Sequence, residues 1–181
     1  MNLFDEDKLV RDIMNPQNQR KAFEEMVSRF SPQLYAQIRR MVLDHDDADD
    51  ILQNTYLKAW SSINTFRGDS KLSTWLYRIA YNETLAFLGK QRDHIPLDDP
   101  EASIVNHLMA DEYFDGDEEE ARFQAAIQNL PPKQRQVFNL KYFENMKYET
   151  MSELLGVTVG GLKASYHLAV EKIEKFLSKE D

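Results

Sequence analysis

Several stretches of this chain carry residue types at spacings that could do chemistry. In FRGDSKLSTWLYRIAYNETLAFLGKQR, residues 66 to 92, Lys71, Trp75, Arg78 and Asn82 recur at offsets 0, 4, 7 and 11, which is one side of a helix. An aromatic ring and an amide between two cations suit single-stranded nucleic acid, where stacking contributes about 1 to 3 kcal/mol per base and the cations meet the backbone. The competing reading is that Trp75 packs inside and the cations only solubilise the helix.

In DHDDADDILQNTYLKAW, residues 44 to 60, Asp50, Gln53 and Asn54 fall at i, i+3 and i+4, offset from the apolar stripe of Leu52, Tyr56 and Ala59. A carboxylate flanked by amides can dock on an Arg-bearing partner, with the amides holding register. A solvated helix start is the alternative, because Asp44 to Asp50 suit the positive end of a helix dipole. Asp44, His45, Asp46 and Asp47 also have donor atoms for a metal, but consecutive helical residues cannot converge on one ion, and no second His and carboxylate cluster joins them. No metal or other cofactor is expected.

A third stretch, YETMSELLGVTVGGLKASYHLAV, residues 148 to 170, reads as two short helices and a tight turn. Tyr148, Met151, Leu154 and Leu155 form the inward stripe of the first helix, Gly156 supplies a left-handed exit, Val157 plugs the corner and Thr158 caps the next helix. Leu162, Tyr166 and Ala169 then point back inside. This is a helix-turn-helix pattern, which lays its second helix in a DNA major groove. Gly160 and Gly161 each cost that helix about 1 kcal/mol relative to Ala, which makes sense where bare backbone must lie close to something. Lys163 and His167 share one exposed face.

The elements that must position these groups are helical throughout, because apolar residues recur at spacings of three and four and no strand alternation is visible. Ala22, Phe23, Met26, Val27 and Phe30 form one stripe. Leu34, Ile38, Met41 and Val42 form a second after Pro32; Leu52, Tyr56, Ala59 and Ile63 a third; Leu72, Leu76, Ile79, Ala80 and Phe87 a fourth. Four amphipathic helices over residues 1 to 95 make a bundle. Asp69 or Ser70 is the expected cap of the last.

The 181 residues carry 22 basic and 31 acidic side chains, net −9, which opposes whole-surface binding to nucleic acid or anionic membrane and confines any DNA contact to local patches. By segment the balance is −1 over residues 1–95, −9 over 96–122 and +1 over 123–181. The expectation is an all-α chain: two small helical domains, 1–95 and 123–181, joined by an acidic flexible linker at 96–122. By composition the linker carboxylates from Asp115 to Glu120 read as part of an unstructured solubilising tether. No Cys is present, so disulfides and thiolate sites are excluded. Acidic residues where a secretory signal needs basic ones, and the lack of an 18-residue apolar run, lead us to expect a cytoplasmic protein with no membrane insertion.

The order of DADDILQNTYLKAW, FRGDSKLSTWLYRIAYN, LPPKQRQVF and YETMSELLGVTVGGLKASYH closely resembles the extracytoplasmic-function (ECF) group of bacterial RNA polymerase sigma factors, over roughly residues 20 to 95 and 123 to 177. The resemblance implies a non-enzymatic initiation factor that delivers core RNA polymerase to promoters, with no small-molecule substrate and an anti-sigma factor as a typical partner; for the linker it implies, as the alternative to a tether, carboxylates from Asp115 to Glu120 that mimic an RNA backbone in the polymerase channel. It implies core docking through Asp49, Asp50, Gln53, Asn54 and Lys58, Asn54 standing where the family usually has a second acid. It implies minus-10 recognition and melting by Arg67, Gly68, Asp69, Ser70 and Lys71 in a loop and Trp75, Arg78 and Asn82 on a helix, which together capture an unstacked base. For the minus-35 element it implies Thr158, Gly160, Gly161, Lys163, Ala164 and His167, while Ser165, Leu168 and Val170 stand where many relatives carry Arg. A stand-alone helix-turn-helix regulator and a metal-dependent hydrolase built on Asp44 to Asp50 are the rival readings.

Overall fold

A computed structural model describes residues 4–91 and 100–178, and among these every regular element is a helix. The first domain consists of α1 (Glu6–Met14), α2 (Gln19–Met41), α3 (His45–Ser62) with a 3-10 turn at Ile63–Thr65, and α4 (Leu72–Gln91). The set of four differs from the one expected. The stripes on either side of Pro32 lie on one unbroken helix, α2, and the additional helix is α1. A proline inside a helix costs about 3 kcal/mol. At this turn Val27 O accepts from Ser31 Oγ at 2.5 Å and lies 3.4 Å from Tyr56 OH, while Phe30 and Leu34, before and after the ring, are both buried. The carbonyl that loses its donor to the ring is Ser28 O, not Val27 O, so the packing of Phe30 and Leu34 is what carries the helix through the break.

α1 forms because Asp5 caps it, accepting from Lys8 N–H at 3.0 Å, and because Leu9 and Ile13, one turn apart, are both buried against the bundle. Met26, Leu34, Ile38, Met41, Leu72 and Leu76 fill the centre of this domain. Each such side chain contributes about 1.5 to 3 kcal/mol by leaving water.

Residues 96–99 of the expected linker, and its boundary at 95/96, lie outside the described residues. The rest of 96–122 departs from an open tether: Pro100–Ala110 is α5, and Glu118–Gln128 is α6. The acidic run that reads as unstructured is a helix start. Asp117 caps α6, accepting from Glu120 N–H at 2.9 Å, and Glu118, Glu119 and Glu120 occupy its first turn beside the positive dipole end. The segment is also docked: Arg39 pairs with Asp111, His107 Nε2 lies 2.6 Å from Asp44 Oδ1, and the Tyr113 ring stacks on His45 at 3.8 Å between centroids.

The second domain comprises α6, α7 (Pro132–Tyr142), α8 (Tyr148–Leu155) and α9 (Val159–Leu177) around Ile127, Leu130, Phe138, Ala169, Ile173 and Phe176. Phe138 stacks on Tyr142 and Tyr166 at 5.1 and 5.8 Å. The turn matches its sequence: Gly156 has φ 68°, and Thr158 Oγ1 accepts from Gly161 N–H at 3.1 Å. Val157 does not plug the corner, since it is 42% exposed; Met151, Leu154 and Leu162 fill that space.

The two domains meet along a seam with an apolar and a polar part: Val137, Leu140, Met151, Leu154 and Leu162 join the buried core of the first domain, and polar groups lie beside them. The buried Arg135 guanidinium donates to Met41 O and Gln128 O at 2.5 Å, Gln128 Oε1 at 2.8 Å and Leu130 O at 3.1 Å, all neutral acceptors, and burial pulls its pKa down to about 10. Asn139 Nδ2 donates to Arg40 O at 3.2 Å, and Arg40 Nη1 lies 2.6 Å from Glu144 Oε1.

Candidate nucleic-acid interface

On α3, Ala48, Ile51, Thr55 and Ala59 face the core, which leaves Asp50, Gln53 and Asn54 exposed together on the opposite side. Asp49 and Lys58 are paired within the chain while open to solvent: Asp49 lies 3.4 Å from His45 Nε2, and exposed Lys58 pairs with Glu83 of α4. The exposed face continues into Leu57, 69% exposed, and Trp60, 44% exposed. Neither stands out in the sequence, because every apolar residue of this helix reads first as core. The signal lies in the offsets: Leu57 is seven from Asp50, Trp60 is seven from Gln53, and both fall on the polar rather than the apolar stripe. Two large apolar side chains held in water beside hydrogen-bonding groups are what a partner-binding face requires.

The loop before α4 turns at Gly68, φ 76°, with Arg67, Asp69 and Lys71 exposed and Ser70 half-buried. Buried Phe66 roots it, and half-buried Trp75 tilts against Phe66 at 5.3 Å between ring centroids, so the indole is partly a packing residue. Neither Asp69 nor Ser70 caps α4: Ser73 N–H donates to Glu6 Oε1 of α1 at 3.2 Å. Arg78 and Asn82 sit two and three turns into α4 and face the second domain. Arg78 Nη2 donates to Glu153 O at 2.8 Å and Nε to Leu154 O at 3.3 Å, at the carbonyl end of α8, and Asn82 lines the adjoining groove of about 490 Å³. The structure thus gathers residues 67–71 with Trp75 and holds Arg78 and Asn82 apart from them.

On α9, Gly160, Gly161, Lys163, Ala164 and His167 are exposed together, with Leu168 on the same side at 46%. Thr158 is exposed, but its hydroxyl is engaged as the cap. His167 Nε2 lies 3.4 Å from Glu171 Oε1. Lys163 and Lys141 place their ammonium groups 5.7 and 4.8 Å from the Tyr148 ring, so two cations converge at the start of α8. Lys141 and Tyr148 were not readable as a site, since Lys141 comes from α7 and only tertiary packing brings it there. Among the described residues no group of three or more His, Asp or Glu converges to hold a metal ion; Asp44 and His45 are instead engaged by the α5 segment. No helix among them is long and apolar enough to cross a membrane.

Comparison with known proteins bears on both domains. The family profile described as Sigma-70 region 2 matches residues 26–94, and that described as Sigma-70, region 4 matches residues 120–173. The chain is 30% identical to the RNA polymerase sigma-H factor of Pseudomonas aeruginosa over 87% of each protein. It is 31% identical to the ECF RNA polymerase sigma factor SigW of Bacillus subtilis, over 86% of this chain and 89% of SigW. In fold it is similar to CnrH solved with the cytosolic domain of CnrY (TM-score 0.71, 20% identity, 98% of this chain and 100% of that one). It is likewise similar to the sigma factor RpoE of Bartonella quintana solved with the anti-sigma factor NepR (TM-score 0.65, 23% identity, 89% and 99%). Two sigma-factor modules in order, a helix-turn-helix at α8–α9 and relatives at 30 and 31% identity over most of both chains lead to one conclusion: the chain belongs to the extracytoplasmic-function group of RNA polymerase sigma factors, which direct transcription initiation.

Proposed function

We propose that this chain works in the cytoplasm as a promoter-specificity subunit without catalytic activity of its own. In this reading α3 docks on core RNA polymerase through Asp50, Gln53 and Asn54, with Leu57 and Trp60 as its apolar anchors. Asp49 and Lys58 orient that helix through His45 and Glu83. The loop Arg67 to Lys71 and Trp75 capture the melted minus-10 strand. Arg78 and Asn82 join them once α8 withdraws. Gly160, Gly161, Lys163, Ala164 and His167 approach the minus-35 duplex, with Lys141 added to the phosphate contacts and Thr158 acting through its cap.

The observation that carries the reading is the exposed pair Leu57 and Trp60 beside Asp50, Gln53 and Asn54, because an apolar face of this kind calls for a protein partner as well as DNA. Net charge of −9 makes each DNA contact weak alone, and tethering both modules to one large enzyme supplies the missing affinity as effective concentration. An anti-sigma factor, the class of partner bound in the Bartonella quintana complex, is the expected regulator.

A competition assay tests the reading. The purified chain should bind core polymerase and displace a labelled sigma factor, yet leave promoter duplex unshifted in a gel when core is absent. A chain that shifts duplex DNA alone and ignores core polymerase would be a stand-alone regulator.

A further inference from the structure

The first turn of α4 is held from a distant part of the chain. Ser73 lies in that turn, where backbone N–H groups have no intrahelical acceptor. Glu6 Oε1, on α1, accepts from Ser73 N–H at 3.2 Å and lies 3.4 Å from Ser73 Oγ, across 67 positions of sequence. A carboxylate there satisfies an orphan donor and meets the positive end of the helix dipole.

α1 is a fixed platform for this contact. Leu9 and Ile13 are 2% and 1% exposed, so the helix cannot swing without uncovering core. A second tie runs through rings: Phe4 meets Phe30 edge-on at 6.0 Å, Phe30 meets Tyr77 of α4 edge-on at 6.2 Å, and the Arg29 guanidinium lies 4.6 Å over Phe4. The start of α1 and the first two turns of α4 are therefore tied at two points. Between them opens a groove walled by Asp5, Asp7 and Val10 on one side and Gly68, Ser70 and Lys71 on the other. The loop tip is free by contrast, since a Cβ built at Gly68 would meet no atom within 4 Å. The loop's shape is thus set at its two roots, buried Phe66 and the α4 turn that Glu6 holds.

We propose that Glu6 is a positioning residue for strand capture: it fixes the α4 start, and so presents Arg67 to Lys71 to the melted strand in one arrangement. The proposal rests on assigning that loop to the minus-10 strand. Glu6 lies outside residues 26–94, the part of the first domain that the family profile matches. Capture of an unstacked base depends on close placement of the groups that receive it, so a loosened root slows opening without weakening recruitment.

The test uses holoenzyme assembled from core polymerase and the full chain, carrying wild type, Glu6→Ala, Glu6→Gln or Arg67→Ala with Lys71→Ala. Core affinity and the rate of open-complex formation are measured on one promoter. Glu6→Ala should slow opening about fivefold, the loss expected for a missing helix cap, while core affinity stays within about twofold. Glu6→Gln keeps an acceptor oxygen and should recover most of the rate. Opening at the wild-type rate in Glu6→Ala would overturn the proposal, as would equal defects in both Glu6 variants with a parallel loss of core affinity, which marks general loosening of the fold. The Arg67 and Lys71 double variant separates the two levels: if it too opens at the wild-type rate, the minus-10 assignment fails and takes the proposal with it.

Discussion

Arg78 and Glu153 are bonded across the seam between the domains, the guanidinium donating to the backbone carbonyl at 2.8 Å. A cation at the carbonyl end of α8 is favourably placed against the helix dipole. The proposed function gives Arg78 to the promoter strand, and the same guanidinium cannot grip DNA while it is held there, so that proposal requires the seam to part.

Parting should be measurable as a change in distance. The chain has no Cys, so cysteines introduced at exposed Lys90 on α4 and Glu149 on α8 are unique labelling sites. Energy transfer between dyes at these sites should be high in the free chain and fall on adding core polymerase. Unchanged transfer in the holoenzyme would mean that the domains stay closed on the enzyme.

The polar part of the seam is incompletely satisfied. Gln37 Nε2, Gln136 Nε2 and Asn139 Oδ1 are buried there without a hydrogen-bond partner in the chain, and an unmet buried amide costs about 1 to 3 kcal/mol. Gln136→Leu removes one such cost. It should raise the thermal midpoint of the free chain and reduce transcription at limiting core polymerase by favouring the closed form. A variant that is more stable and equally active would show that closure does not compete with function.

Leu57→Asp probes the docking face. Leu57 touches mostly water, so the substitution should leave helicity and thermal midpoint unchanged while weakening core affinity about tenfold or more, as loss of an apolar anchor does. Asp50→Ala with Gln53→Ala should act in the same direction. Undiminished core affinity in both would remove α3 from the interface.

Gly160 and Gly161 look alike in sequence and differ in structure. A Cβ at Gly161 would come within 3.2 Å of Thr158 Oγ1 and Val157 Cγ1, so the capped turn itself explains that glycine. At Gly160 a Cβ would meet nothing within 4 Å, and the fold gives no reason for the residue. Gly160→Ala should therefore stabilise the chain by about 0.5 to 1 kcal/mol and raise the thermal midpoint by roughly 1 to 4 °C, yet lower initiation at promoters that depend on the minus-35 element. Full initiation by the stabilised variant would place Gly160 away from DNA.

Asp47 gives a pH-dependent test of the α3 start. Burial and the nearby carboxylates of Asp44, Asp50 and Asp46 raise its pKa, against which the Gln91 amide, 3.1 Å away, pulls it down. A carboxyl whose folded pKa is raised disfavours the fold when ionised, so its cost is present at neutral pH and vanishes as pH falls to its ordinary value of 3.8. Asp47→Asn should melt higher than wild type at neutral pH, with the gap closing on acidification. A gap independent of pH would assign the effect to packing.

What was legible in the sequence was local. Gly156 and Thr158 mark the helix-turn-helix because a left-handed exit and a cap each need one residue type at one place. The exposed triad Asp50, Gln53 and Asn54 follows from helical periodicity alone. Three features were not legible. Pro32 reads as a break, and only the packing of Phe30 and Leu34 keeps α2 continuous. The acidic run at 117–120 reads as tether by composition, although one cap turns it into a helix start. Glu6, Arg78 and Arg135 act across tens of positions, and no spacing rule connects Glu6 to Ser73, or Arg78 to the end of α8.

The most direct test of the account is run-off transcription from fragments of the chain's own genome, with core polymerase and the purified chain supplied separately and together. The account predicts discrete start sites only when both are present, and their loss when the chain carries Leu57→Asp. Start sites that persist without the chain, or none when both are present, would contradict it.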